Sequence, residues 1–163
     1  MARVLIVGCG CRGLELSAQL IGRGHAVRGT TRDPPRLAEL EAAGVEPVLA
    51  DPDRVGTLFQ ALDGVGVVCV RLGSAAGPAD QLAALHGTRL EMLMARTIDT
   101  TVRGVVYEAA GTVDAGVLAG GAETVGRLCD TSRIPYRVLR ADPGDAAAWV
   151  GAASACVDAA LGG

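Results

Sequence analysis

The sequence predicts an α/β fold: one doubly wound sheet of about six parallel strands with helices on both faces. Three observations lead there. Short Val-rich runs alternate with helical stretches from one end of the chain to the other. The runs are apolar almost throughout, as strands covered on both faces are. The first run also leads directly into a glycine-rich turn, Gly8-Cys9-Gly10-Cys11-Arg12-Gly13, that opens a helix. A chain of 163 residues suits one core of ordinary size and is short for two, so residues 1–163 are expected to form a single domain with no separate substrate domain.

Each element has its own signal. RVLIV at 3–7 is the first expected strand, and GLELSAQLIGRG at 13–24 the helix that follows. HAVRGT at 25–30 is the second strand. Asp33 before Pro34 and Pro35 reads as an N-cap with proline in the first turn, and Gly44 reads as the stop of a helix of about three turns. EPVLA at 46–50 and GVVCV at 66–70 are the third and fourth strands. The stretch PADQLAALHGTRLEMLMARTID at 78–99 is expected to be one long helix burying Leu82, Leu85, Met92 and Leu93, with Gly87 as its weak point. RGVVYE at 103–108, a helix at about 114–131 and YRVLR at 136–140 complete the alternation, and an Ala-rich helix from 144 closes it. Phe59, Tyr107, Tyr136 and Trp149 are the only aromatics, so the core must be built from small aliphatic side chains.

Composition excludes several functions. The net charge of −3 and the absence of a long basic block argue against a nucleic-acid partner. No apolar run approaches the roughly 20 residues of a membrane span, and ARVLIVG is too short for a signal-peptide core. A cytoplasmic protein acting on a small molecule is the expectation. Cys9, Cys11, Cys69, Cys129 and Cys156 are odd in number and scattered, with no Cys-x-x-Cys pair or histidine at ligand spacing, so neither a disulfide framework nor a metal site is expected. All 15 basic residues are arginine, which removes any mechanism that needs a lysine of this chain.

Gly8, Gly10 and Gly13 match Gly-x-Gly-x-x-Gly between a strand and a helix, with a second strand following: the setting of a Rossmann dinucleotide site. Gly8 permits the tight turn, Gly10 lets backbone approach the phosphates, Gly13 lets helix pack on strand, and the helix N-terminus offers unpaired N–H donors. At the end of the second strand an NAD site usually holds an acid for the ribose 2′-hydroxyl, whereas this chain has Thr31 and Arg32. A guanidinium suits a 2′-phosphate, so NADP(H) is expected over NAD(H), with Arg36 and Arg12 assisting unless they are merely solvated. Cys11 reads either as a thiol activated by the helix terminus and Arg12 or as a small filler, the commoner case.

The runs VLIVGCGCRG, GHAVRGTTR and GVEPVLADPDRVGTLFQALDGVGVVCVRLGSA resemble the atypical and extended short-chain dehydrogenase/reductases, including NmrA-like and NAD-dependent epimerase-like NAD(P)H-binding proteins. The resemblance covers almost the whole chain. It implies an adenine contact at Asp51, beside Pro52, and a cofactor wall at Leu72, Gly73 and Ser74. It implies a substrate-binding segment after RIPYRVLRADP, where this chain stops, and a homodimer formed through the helices at about 79–98 and 114–131. The family's Tyr-x-x-x-Lys pair is absent: there is no lysine, Tyr107 lies inside the fifth strand and reads as core, and Tyr136 opens the sixth. Ala109 and Ala110 replace the usual serines. Thr112, Glu108 and Arg71 are left as catalytic candidates, Arg71 being equally readable as a rim residue. Two functions stay open, a small NADPH-dependent reductase and a non-catalytic NADP(H)-binding redox sensor or regulatory subunit. A subunit that has lost the ligand ranks last, because it would have little reason to keep Gly8, Gly10, Gly13, Arg32 and Asp51 together.

Overall fold

A computed structural model describes residues 1–162. Six strands form one parallel sheet: β1 (Arg3–Val7), β2 (Ala26–Thr31), β3 (Glu46–Leu49), β4 (Val67–Val70), β5 (Gly104–Glu108) and β6 (Tyr136–Leu139), in the order β3-β2-β1-β4-β5-β6. The chain steps outward from β1 to β3, then returns to pair β4 with the free side of β1, Val4 beside Val67 and Val7 beside Val70. That reversal opens a crevice at the carboxyl ends of β1 and β4, where ligands of open α/β sheets bind.

Side chains alternate across a strand, so each strand feeds two cores. Leu5, Val7, Val68, Val70, Val105 and Tyr107 pack against α4 (Thr88–Ile98) and α5 (Ala115–Ser132). Val4, Ile6, Val67, Cys69 and Val106 pack on the opposite face, against α1 (Cys11–Gly22), α2 (Leu37–Ala42) and α6 (Ala146–Ala160). Each fully buried Val or Leu contributes about 1.5–3 kcal/mol. Both sheet faces are therefore covered, as the apolar strands predict. Asp114 caps α5 by accepting from Val117 N (3.2 Å), and Asp145 caps α6 by accepting from Ala148 N (3.3 Å).

Three local expectations are corrected. The helix across 78–99 is two helices, α3 (Ala79–Leu85) and α4, broken at Gly87, where a Cβ would stand 2.7 Å from the Ala83 carbonyl oxygen. Helix α4 therefore sets its own buried stripe of Leu90, Leu93, Met94 and Thr97, and Met92 points outward, 56% exposed. Asp33 makes no side-chain cap; its carbonyl accepts from Arg36 N (2.9 Å), and the segment runs as a 3-10 turn at Pro34–Arg36 into the short α2. The first helix starts at Cys11 rather than Gly13, which puts Cys11, Arg12 and Gly13 all in its opening turn.

The break between α3 and α4 turns His86 inward. Its Nδ1 lies 2.6 Å from the Tyr107 hydroxyl and its Nε2 2.9 Å from the Leu72 carbonyl, so a neutral ring accepts from Tyr107 and donates to Leu72. Burial pushes the imidazole below the usual histidine range, against a smaller opposite pull from the Leu72 carbonyl. Above about pH 6.5 both folded and unfolded chains hold His86 neutral; below it the unfolded chain takes the proton first. Stability is therefore expected to fall as pH drops from 6.5 and to level once the folded value is passed. Urea denaturation between pH 8 and 5 should show this slope, flattened in His86→Gln; equal slopes would remove His86 from the account.

Candidate cofactor site

The crevice is built on one backbone crossing. Gly8 follows β1 at φ +83°, and a Cβ there would meet the Arg71 carbonyl oxygen at 2.6 Å. Gly8 N donates to Thr30 Oγ1 and Cys9 N to the Thr30 carbonyl, both at 2.9 Å, so the end of β2 braces the turn. Gly10 occupies the N-cap of α1, whose first-turn N–H groups have no acceptor within the helix. At Gly13 a Cβ would stand 3.0 Å from Cys9 Sγ, so the missing side chain seats the helix on the turn.

Two cavities adjoin this turn. The first, about 350 Å³, lies at the ends of β2 and β3, and Thr31, Arg32, Arg36, Pro52 and Leu72 help line it. Arg32 is 57% exposed and stands 3.6 Å from Asp53 and 4.0 Å from Asp51, pairs worth no more than about 1 kcal/mol each. Thr31 Oγ1 accepts from Asp33 N (3.1 Å), which holds the strand end in place. Asp53, not Asp51, faces the first cavity. Asp51 Oδ1 accepts from Asp53 N (2.9 Å), while Asp53 also receives Gln81 Nε2 at 3.0 Å and, on its carbonyl, Arg89 Nε at 2.9 Å.

The second cavity, about 440 Å³, is lined by Cys11, Arg12, Ser74 and Thr112 together with the loop at 142–144 after β6. Arg12 is committed there: its Nε donates to the Pro143 carbonyl and its Nη1 to Glu15, both at 2.7 Å. Cys11 and Thr112 are exposed. Arg71 borders both cavities.

Beneath the crevice sits a buried polar knot. Glu108, wholly buried, accepts from Gly73 N (3.0 Å) and Trp149 Nε1 (2.8 Å) and lies 3.9 Å from Arg71 Nε. Burial pushes its carboxyl above the usual range; Arg71 and the two donors pull it back. The Arg71 guanidinium carbon is 5.3 Å from the centre of the Trp149 ring, and its Nη1 donates to the Gly8 carbonyl at 3.3 Å. Gly73 sits behind the wall rather than on it, packed so tightly on the Ala110 carbonyl that a Cβ has no room. Tyr107 is buried against His86, and burial and Glu108 hold its hydroxyl protonated well above the ordinary range.

The geometry thus brings Gly8, Gly10, Cys11, Arg12, Thr31, Arg32, Pro52 and Leu72 to one crevice, with Gly13 and Gly73 supporting it from behind. Sequence reasoning missed Thr30, Asp53, His86 and Trp149. Thr30 carried the one local signal, a hydroxyl at a strand end beside a glycine turn. The arrangement fits a dinucleotide: at Gly10 a Cβ would stand 3.4 Å from Arg71 Nη1, so the missing side chain leaves a cradle lined by amides and a guanidinium. The buried Arg71 Nε has no hydrogen-bond partner among the described residues.

A family described as NAD(P)H-binding matches residues 8–142. A short-chain dehydrogenase/reductase superfamily protein from Agrobacterium tumefaciens, solved with bound NAD, matches with a TM-score of 0.70 at 19% identity over 85% of this chain and 48% of its own. UDP-glucuronic acid 4-epimerase from Bacillus cereus, in complex with NAD, gives 0.67 at 14% identity over 85% and 55%. Vestitone reductase from alfalfa gives 0.64 at 16% over 85% and 56%. These likenesses establish a shared fold, and the chain spans about half the length of these proteins. No curated protein matches the chain.

Glu108 generates the first site prediction. An amide offers one acceptor oxygen where a carboxylate offers two, so Glu108→Gln must turn an NH2 group toward the Gly73 N–H or the Trp149 indole. The expected cost is about 1–3 kcal/mol in urea denaturation at pH 7. Unchanged stability would show that the carboxylate does not hold the floor of the crevice.

Proposed function

The chain belongs to the NAD(P)H-binding family, and from that premise we propose that it takes NADP(H) in preference to NAD(H) and acts as a small NADPH-dependent reductase of the atypical short-chain dehydrogenase/reductase type. The supporting observation is the mouth of the first cavity, where β2 ends in Thr31, Arg32 and, one turn on, Arg36, with no carboxylate from that strand end on the lining. Gly8, Gly10 and the first turn of α1 would hold the pyrophosphate, Pro52 and Leu72 the adenine side, and Arg32 the 2′-phosphate after leaving Asp51 and Asp53.

NADPH supplies hydride when bound. The chain's own part is to orient the cofactor and exclude water. The second cavity gives a small-molecule acceptor its place beside Thr112 and Ser74, and the Thr112 hydroxyl or solvent delivers the proton. Glu108, with two donors already on its oxygens, works by holding Arg71 and Trp149. A second reading, a non-catalytic NADP(H)-binding redox sensor or regulatory subunit, is supported by the missing lysine and by the burial of Tyr107 against His86. In either reading the protein works in the cytoplasm as a homodimer paired through α4 and α5, with the exposed Met92 on the contact face.

Parallel calorimetric titrations with NADPH and NADH test the specificity. Arg32→Ala is expected to weaken NADPH about tenfold, the scale of a solvent-exposed charge-assisted contact, while changing NADH less than threefold. Equal losses would reject the 2′-phosphate assignment. Oxidation of NADPH in the presence of quinones, flavins or simple carbonyls separates the two functions: turnover of any acceptor supports the reductase, and tight binding without turnover supports the sensor.

A further inference from the structure

The cations around the crevice are not equivalent. Arg12 has spent its Nε on Pro143 and its Nη1 on Glu15. Arg32 sits at the mouth between Asp51 and Asp53, and Arg36 Nε reaches Glu39 at 3.3 Å. Arg71 alone borders both cavities, and its guanidinium, a fork of five donors, makes one long hydrogen bond among the described residues, to the Gly8 carbonyl at 3.3 Å. Its Nε is buried without a hydrogen-bond partner, with Glu108 3.9 Å away. The side chain is 14% exposed and is held over the Trp149 ring, so it keeps its place with its bonding capacity unspent.

We propose that Arg71 is the pyrophosphate-reading residue of this crevice, its Nη groups passing from the Gly8 carbonyl to the phosphate oxygens of the bound dinucleotide while Glu108 stays beside Nε and the Trp149 ring beside the guanidinium carbon. The inference rests on the dinucleotide reading above and adds a side-chain anion ligand to the backbone cradle. Position decides the ligand group. Arg71 and Ser74 line both cavities, Arg71 beside Gly10, and the part of a dinucleotide that joins its two nucleosides is the pyrophosphate. A planar fork matches two phosphate oxygens at once, and phosphate would supply the hydrogen bonds that the half-buried guanidinium lacks. Glu108 lies 3.9 Å from Arg71 Nε, so a carboxyl group already stands beside the guanidinium.

Three probes separate this role from the others: NADPH, ADP-ribose, which has the pyrophosphate but no 2′-phosphate or nicotinamide, and adenosine 2′-monophosphate, which has the 2′-phosphate but no pyrophosphate. Arg71→Ala is expected to weaken NADPH and ADP-ribose alike, about ten- to hundredfold, and to leave adenosine 2′-monophosphate within twofold of wild type. Arg71→Lys, which keeps charge and stem without the fork, should show a smaller loss on the same two probes and serves as the deciding variant if the alanine protein does not fold. Unchanged ADP-ribose binding in either variant, or equal weakening of all three probes, would overturn the assignment. Failure of wild-type protein to bind any of the three would instead reject the dinucleotide reading itself.

Discussion

The contact between Gly8 and the Arg71 carbonyl sets the geometry of everything around the crevice. With 2.6 Å between that oxygen and the place a Cβ would take, no other residue can follow β1 without pushing β4 away. Because β1 and β4 are the strands on either side of the reversal in strand order, this close crossing lies where an open α/β sheet presents a ligand site. Thr30 fixes the same turn from the other flank, and α1 then leaves it with its opening N–H groups toward the gap. The cradle is thus a consequence of packing on three strands.

With no lysine in the chain, fixed positive side-chain charge is carried by arginine, and the arginines divide by how much of their bonding they have used. Arg28 is spent: Nε donates to Glu46 at 2.7 Å and Nη1 to the carbonyls of Ala61 and Asp63, so it fastens β2 to β3 and the loop beyond. Arg71 is the opposite case, a half-buried cation with one long hydrogen bond, a carboxyl group below and an aromatic face beside it. A tyrosine and lysine working together would need a phenol facing the crevice and an ammonium beside it. Tyr107 instead completes a buried pair with His86, which in turn holds the Leu72 carbonyl behind the cofactor wall. The crevice consequently offers guanidinium and amide donors and few groups that move protons.

Most of the fold was legible because it rests on short-range pattern. Six runs became six strands, each shifted by no more than a residue or so at its ends; the inner strands are buried on both faces and read as apolar runs, while the edge strands β3 and β6 keep exposed positions. The break at Gly87 was legible as a weak point but not as a turn of direction, and so the register of α4 was misjudged and Met92 placed inward. The glycine turn was readable from spacing alone. What spacing could not show were pairings between distant elements: Glu108 with Trp149 is separated by 41 residues and Arg71 with Gly8 by 63, and nothing in either local sequence announces its partner. Asp51 and Asp53 show a finer point: two acids stand two residues apart, and the loop's conformation turns Asp53 to the first cavity.

The N–H groups that open α1, from Cys11 to Gly13, have no partner among the described residues and are the amides that would meet the ligand. Hydrogen–deuterium exchange with and without saturating NADPH reads those amides directly. Slowed exchange is expected in segments covering 8–13, 30–36 and 71–74, with α5 unchanged as the internal reference. Unaltered exchange across 8–13 in protein shown to bind NADPH would contradict it, because the ligand would then be held somewhere other than this crevice.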